Sequence, residues 1–196
     1  MLTEYPQTEE LASTSRYARA DLFVEDRPIE GFRRIILCRP THLPPVADLA
    51  SLMSHLGLTT VNPKVAKDYQ FTQDRPPRAA AEPLVGKAVV PGILVVDQPW
   101  ATMEDVSGAA QQLDVHLAGV EQMLILAHRH NLLDYSKLMV AGNGFFYMPG
   151  GSITGLANLW RDIGRDALGK PVRQGGLGLL PIFQEWQRDT VFPFVA

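Results

Sequence analysis

The sequence predicts a single α+β or α/β domain, a small mixed sheet with a β-hairpin covered by helices. Three observations point there. The β-rich runs FRRIILC and ILVV are each followed by a stretch with helical spacing. An Asn-Gly pair stands between two further β-rich runs in KLMVAGNGFFYMP. A chain of 196 residues with 46% hydrophobic and 20% charged content is long enough to bury one full core.

In chain order, the polar and weakly periodic stretch from Thr8 to Ala20 predicts a first helix. Phe32 to Cys38 reads as a strand closed by Pro40, whose missing N–H suits a strand end. In THLPPVADLASLMSHLG, Val46, Leu49, Leu52, Met53 and Leu56 fall at helical spacing, with prolines in the first turn and Gly57 as the C-terminal cap. Five prolines between Asn62 and Pro91 predict an extended loop at about 62–91, because no regular element accommodates them. Ile93 to Val96 is a continuous apolar run, as expected of a strand covered on both faces.

Thr102 followed by Asp105 approximates a capping box and predicts a helix from Met103 to Leu113. The run HLAGVEQMLILAHRHNLL, apolar nearly all round, predicts a central helix. Lys137 to Pro149 then reads as a hairpin turning at Asn143-Gly144, since both central residues of a type I′ turn need positive φ. Leu156, Leu159, Ile163 and Ala167 predict a further helix, stopped by Gly169 and Pro171. The remainder, GGLGLLPIFQEWQRDTVFPFVA, reads as glycine-flexible, then helical, then apolar.

The bulk properties bound the function. A net charge of -3 supplies no general basic field, which argues against nucleic-acid binding, and DRPPR at Asp74–Arg78 is too sparse to change that. One cysteine allows no internal disulfide, and no Cys/His spacing resembles a zinc site, so no metal is expected. No apolar run is long enough to span a membrane and the N-terminus lacks a signal-peptide pattern, so the expectation is a soluble, cytoplasmic protein with no membrane partner. No motif names a cofactor.

Four places carry candidate chemistry. Cys38 follows Arg33 and Arg34 and precedes Arg39, guanidinium groups that would favour a thiolate; a packed core cysteine explains it equally. Asp97 closes the second confident strand, where α/β sheets usually hold ligands, although an Asp before Gln98-Pro99 also makes a turn unaided. If the two strands are parallel neighbours, Cys38 and Asp97 emerge at one edge as catalytic candidates. Gly150, Gly151 and Ser152 lead into the predicted fifth helix, and glycines with a hydroxyl at a helix N-terminus suit a small anion; Ser152 or Thr154 as a plain cap accounts for the same letters. His128 lies two turns beyond Glu121 on the central helix, about 10 Å along its axis, too far for one shared metal. It counts as a ligand-binding candidate or as a helix-end charge.

The blocks GFRRIILCRP with VADLASLMSHLG, PGILVVDQPW, LAGVEQMLILAHRHNLL and ANLWRDIGRDALG, in that order, resemble an actinobacterial family of uncharacterised domains of similar length. That resemblance implies a bacterial protein but no activity, catalytic residue or substrate. Two readings follow from the residues: small-molecule ligand binding or catalysis, with an anionic ligand at Gly150–Ser152, or a protein-interaction module. The second draws on the proline-rich loop and on VFPFVA, whose apolar side chains need a partner within the domain or in a second copy forming a homo-oligomer.

Overall fold

The computed structural model describes residues 3–4, 22–24, 29–37, 41–42, 49–68, 88–130, 132, 138–147, 154–165 and 167–196. In chain order the elements are β1 (Thr3–Glu4), β2 (Leu22–Val24), β3 (Phe32–Leu37), β4 (Thr41–His42), α1 (Leu49–His55), β5 (Thr60–Val61), α2 (Pro63–Asp68), β6 (Ala88–Val89), β7 (Pro91–Val96) and β8 (Trp100–Ala101). There follow α3 (Met103–Gln112), β9 (His116–Leu117), α4 (Val120–Arg129), β10 (Leu138–Tyr147), β11 (Thr154–Arg165), β12 (Pro171–Pro181), β13 (Trp186–Gln187) and β14 (Val191–Val195). The expected fold class holds: a mixed main sheet with helices packed on it, beside two small sheets that pair β8 with β13 and β4 with β6. No helix among the described residues is long and apolar enough to cross a membrane.

Ten strands form the main sheet in the order β1-β2-β3-β7-β14-β10-β11-β12-β5, with β9 also paired to β14. All neighbours are antiparallel except β10 with β14 and β12 with β5. The pleat of β7 sorts the core into two layers. Ile93 and Val95 join Ile35, Leu37, Val191 and Val195 beneath α4, while Leu94 and Val96 join Phe32, Ile36, Phe192 and Phe194 beneath α3. Every residue of β7 is buried, as the continuous apolar run predicted. In α4, Val120 through Ala127 are all buried, matching a helix without a polar face.

Local signals set several boundaries. Thr102 Oγ1 accepts from the Asp105 N–H at 3.2 Å, and the Asp105 carboxylate accepts from the Thr102 N–H at 2.8 Å, completing the expected capping box on α3. Gly57, at φ 67°, ends the turn after α1, a backbone conformation that suits glycine. Asn62 Oδ1 accepts from the Lys64 N–H at 3.0 Å and Pro63 takes the first helical position, so α2 begins inside the stretch expected to be loop. Residues 69–87 of that loop, and the helix expected from Thr8 to Ala20, lie outside the described residues.

Three expectations are corrected. The segment from Leu156 to Ala167 is not a helix: β11 pairs with β12 from Gly155↔Pro181 to Arg165↔Pro171. Residues Gly155 to Leu159 are buried on both faces, so no period-2 alternation was available to compete with a chance helical spacing. Asn143-Gly144 is not a hairpin turn. β10 continues through it, with Val140 opposite Asn158 and Phe145 opposite Leu156, so residues 141–144 stand against Ala157 alone as a wide bulge. The stretch expected to be flexible and then helical contains β12 and β13; Trp186 of β13 is fully buried and meets Phe192 edge-on at 5.5 Å.

The apolar C-terminal segment forms β14, in the middle of the sheet, and Val191 to Val195 are buried there. Its side chains therefore offer no exposed face for a homo-oligomer. Pro193 is tolerated in this central strand because the β7 ladder uses its neighbours. The Pro193 carbonyl accepts instead from the Ala118 N–H at 2.8 Å, on the edge where β14 changes partner from β10 to β9.

Two outcomes follow. Phe192→Ala should lower stability by about 3–5 kcal/mol in urea titration, since it empties the space under Trp186 in a layer that cannot collapse freely. Thr102→Ala should cost about 1 kcal/mol at neutral pH. The backbone and side-chain hydrogen bonds from Thr102 hold the Asp105 carboxyl below its ordinary 3.8, so this stabilisation is present above that value. The gap between wild type and Thr102→Ala should narrow as the pH falls below 3.8, read by the same titration at several pH values.

Candidate functional site

Strand direction decides whether the ends of β3 and β7 share an edge. β3 and β7 are antiparallel, with Phe32 opposite Val96 and Ile36 opposite Gly92. Asp97 is level with Gly31, whose carbonyl accepts its N–H at 2.8 Å. Leu37 therefore ends β3 about 20 Å away at the other end of the pair. Cys38 itself lies outside the described residues, but the shared edge that would join it to Asp97 required parallel strands and is not formed. Gly150, Gly151 and Ser152 also lie outside the described residues. The segment after them is β11, so the helix N-terminus that would have held an anion does not exist there.

Asp97 sits in a clasp of charges. Arg33 Nε lies 3.5 Å from Asp97 Oδ1, and Arg33 Nη2 lies 3.1 Å from Asp189 Oδ1. Arg188 Nη2 donates to the Asp97 carbonyl at 2.8 Å, and the Asp189 N–H donates to the Val96 carbonyl at 2.9 Å. The clasp ties the ends of β3 and β7 to the turn before β14. Asp189 has φ 68°, and its pairing with Arg33 accounts for an acidic residue there. Both carboxylates are about half exposed, so each ion pair contributes at most about 1 kcal/mol. His128 is exposed on the last turn of α4, and its ring meets that of His55 on α1 with centroids 5.4 Å apart. Glu121 on the same helix is buried, so the two do not share a site.

A different place gathers more polar chemistry. An open hollow of about 400 Å³ lies between α3, the approach to β9 and the bulge of β10. Ser107, Gln111, Asp114, His116 and Asn143 line it with hydrogen-bonding groups, and Leu117 and Gly142 are among its apolar lining. Its size falls within the range of small-molecule sites. The extra residues of the bulge carry Asn143 to the rim. The Asn143 N–H donates to the Ala118 carbonyl at 3.2 Å, which anchors the bulge to the strand edge. Gly142 is required by close approach: a Cβ there would stand 2.7 Å from the Leu117 side chain.

Asp114 is the residue in this hollow that local structure does not favour. The C-terminus of α3 closes in a Schellman arrangement, with the Val115 N–H on the Ala110 carbonyl and the Asp114 N–H on the Gln111 carbonyl, each at 3.1 Å. That motif wants glycine or asparagine at the left-handed position, and Asp114 occupies it at φ 53°. Aspartate is among the few non-glycine residues that adopt this conformation, at a smaller cost than the 1–2 kcal/mol or so typical of other side chains. A carboxylate at the negative end of a helix costs a few tenths of a kcal/mol more.

Sequence reasoning missed this site because its residues come from three segments with no fixed spacing. Asn143 stood out, but as a turn residue. The available signal was Asp114, an acidic residue directly after a helix end where glycine would be expected. Comparison with known protein families, with curated proteins and with solved structures found no match.

Asp114→Asn tests the strain directly, since asparagine accepts the left-handed conformation and removes the charge. The variant should be more stable than wild type by about 0.5–1 kcal/mol in chemical denaturation.

Proposed function

We propose that the protein binds a small, donor-bearing molecule in the hollow between α3, β9 and the β10 bulge. The observation that carries this reading is Asp114, an acidic residue at the negative end of α3 that lines the same space as His116 and Asn143. A carboxylate there favours a ligand with hydroxyl groups or a protonated amine, and disfavours the anion expected from sequence. His116 and Asn143 each offer a donor and an acceptor to the same ligand. Asp114 with His116 also supplies an acid/base pair, so catalysis on such a ligand is an extension of the same reading. One cysteine in the chain fits a cytoplasmic setting. The likeness of four sequence blocks to an actinobacterial family adds a bacterial origin to the reading and no activity.

A protein-interaction reading draws on Trp100 and Phe183, large apolar residues that are more than half exposed. It has no support from the C-terminal segment, which is inside the sheet.

Saturation-transfer NMR against defined polyols, monosaccharides and primary amines tests the ligand reading. Wild type should give transfer to at least one of these probes, with the signal lost in both Asp114→Asn and His116→Ala. Transfer that survives in Asp114→Asn, or none to any probe with the folded wild type, would falsify it.

A further inference from the structure

Asn143-Gly144 is the one asparagine–glycine step in the chain; the other asparagines precede Pro63, Leu132 and Leu159. The ladder between β10 and β11 pairs Val140 with Asn158 and Phe145 with Leu156 and skips the residues between, so this step lies in the bulge, outside the regular register. Asn143 is exposed and lines the hollow beside Asp114 and His116. Its own N–H is tied to the Ala118 carbonyl at 3.2 Å, which holds the residue at the rim. A glycine in the next position carries no Cβ to hinder approach of its peptide nitrogen to the asparagine side chain, and it widens the backbone conformations from which that approach is made.

We propose that Asn143-Gly144 is a site of spontaneous covalent modification, which converts Asn143 to aspartate or isoaspartate on the wall of the hollow. The Gly144 backbone nitrogen attacks Cγ of Asn143. A C–N bond forms, the bond from Cγ to the side-chain nitrogen breaks, and that nitrogen leaves as ammonia with the proton given up by Gly144. Water then opens the five-membered imide. Addition at Cγ gives aspartate; addition at the backbone carbonyl carbon of Asn143 gives isoaspartate, whose main chain is longer by one carbon. Nothing is oxidised or reduced, and water is the only co-reactant. The other asparagines each lack a condition. Pro63 has no N–H with which to attack Asn62. Asn158 is buried, in register with Gly178 and followed by Leu159, and Asn131 is followed by Leu132. Either product replaces the amide donors of Asn143 with a second carboxylate beside Asp114, so the hollow then favours a protonated amine over a neutral polyol. That consequence for binding rests on the ligand reading; the modification itself stands without it.

Peptide mapping by mass spectrometry, on the full chain held in mildly alkaline buffer, tests it. The peptide containing Asn143 should gain about 1 Da with time and separate into two products, ahead of any gain at Asn62, Asn131 or Asn158. In ¹⁸O-labelled water the new oxygen should be found on residue 143. Gly144→Ala should slow the gain. A comparison of the folded wild type with the same chain unfolded in urea needs no variant, and conversion should proceed in the folded state. Conversion confined to the unfolded chain, or no faster at Asn143 than at Asn131 or Asn158, would overturn the site. In the saturation-transfer experiment Asn143→Asp should raise the amine signal relative to the polyol signal. An unchanged ratio would overturn the link to binding, and absence of transfer to every probe would count against the ligand reading, while the mapping alone decides the modification.

Discussion

The structure depends on β14 being accepted in the middle of the sheet. That strand carries Phe192 and Phe194 to one layer and Val191 and Val195 to the other, so both layers of the core are nailed to the same five residues. Burial of a large apolar side chain stabilises by about 1.5–3 kcal/mol, and here no face of the strand is left to water. A proline in such a place would ordinarily break a ladder. Pro193 does not, because its missing N–H falls on the edge where the neighbouring strand changes.

That change of neighbour produces the hollow. β10 accompanies β14 at Met139↔Val191, then yields the edge to β9 at Phe194↔Leu117, and the chain of β10 escapes through its bulge. Gly142 passes against Leu117, Asn143 reaches the rim, and the turn after α3 delivers Asp114 and His116 from the other side. A bulge beside a helix end is a common way to aim side chains at one point. The charged clasp at the far end of β7 sets Arg33 against two carboxylates, whereas Asp114 puts a carboxylate at the negative end of its own helix.

Legibility in the sequence followed the range of the forces involved. The strands Phe32–Leu37 and Pro91–Val96 and the cap at Thr102 are written in contiguous residues, and each is where the pattern put it. β11 was misread because its first half, buried on both faces, loses the alternation that identifies a strand, leaving the spacing of Leu156, Leu159 and Ile163 to mimic a helical stripe. Asn143-Gly144 was misread because the same pair that favours a tight turn also suits a bulge. The Cys38–Asp97 constellation turned on whether β3 and β7 run parallel, and nothing local to either strand encodes direction. His55 and His128, about seventy residues apart along the chain, meet only through the packing of α1 on α4.

The central position of β14 also governs how the chain reaches its fold. Val191 pairs with Val95, and Arg33 with Asp189, across loops of about a hundred residues or more, so the heart of the sheet has high contact order. The meander of β10, β11 and β12 is built from contacts closer in sequence, which as a rule form faster than such a long closure. Until β14 arrives, the meander presents β10 as an open strand edge, and that edge is where pairing between two unfinished chains would begin.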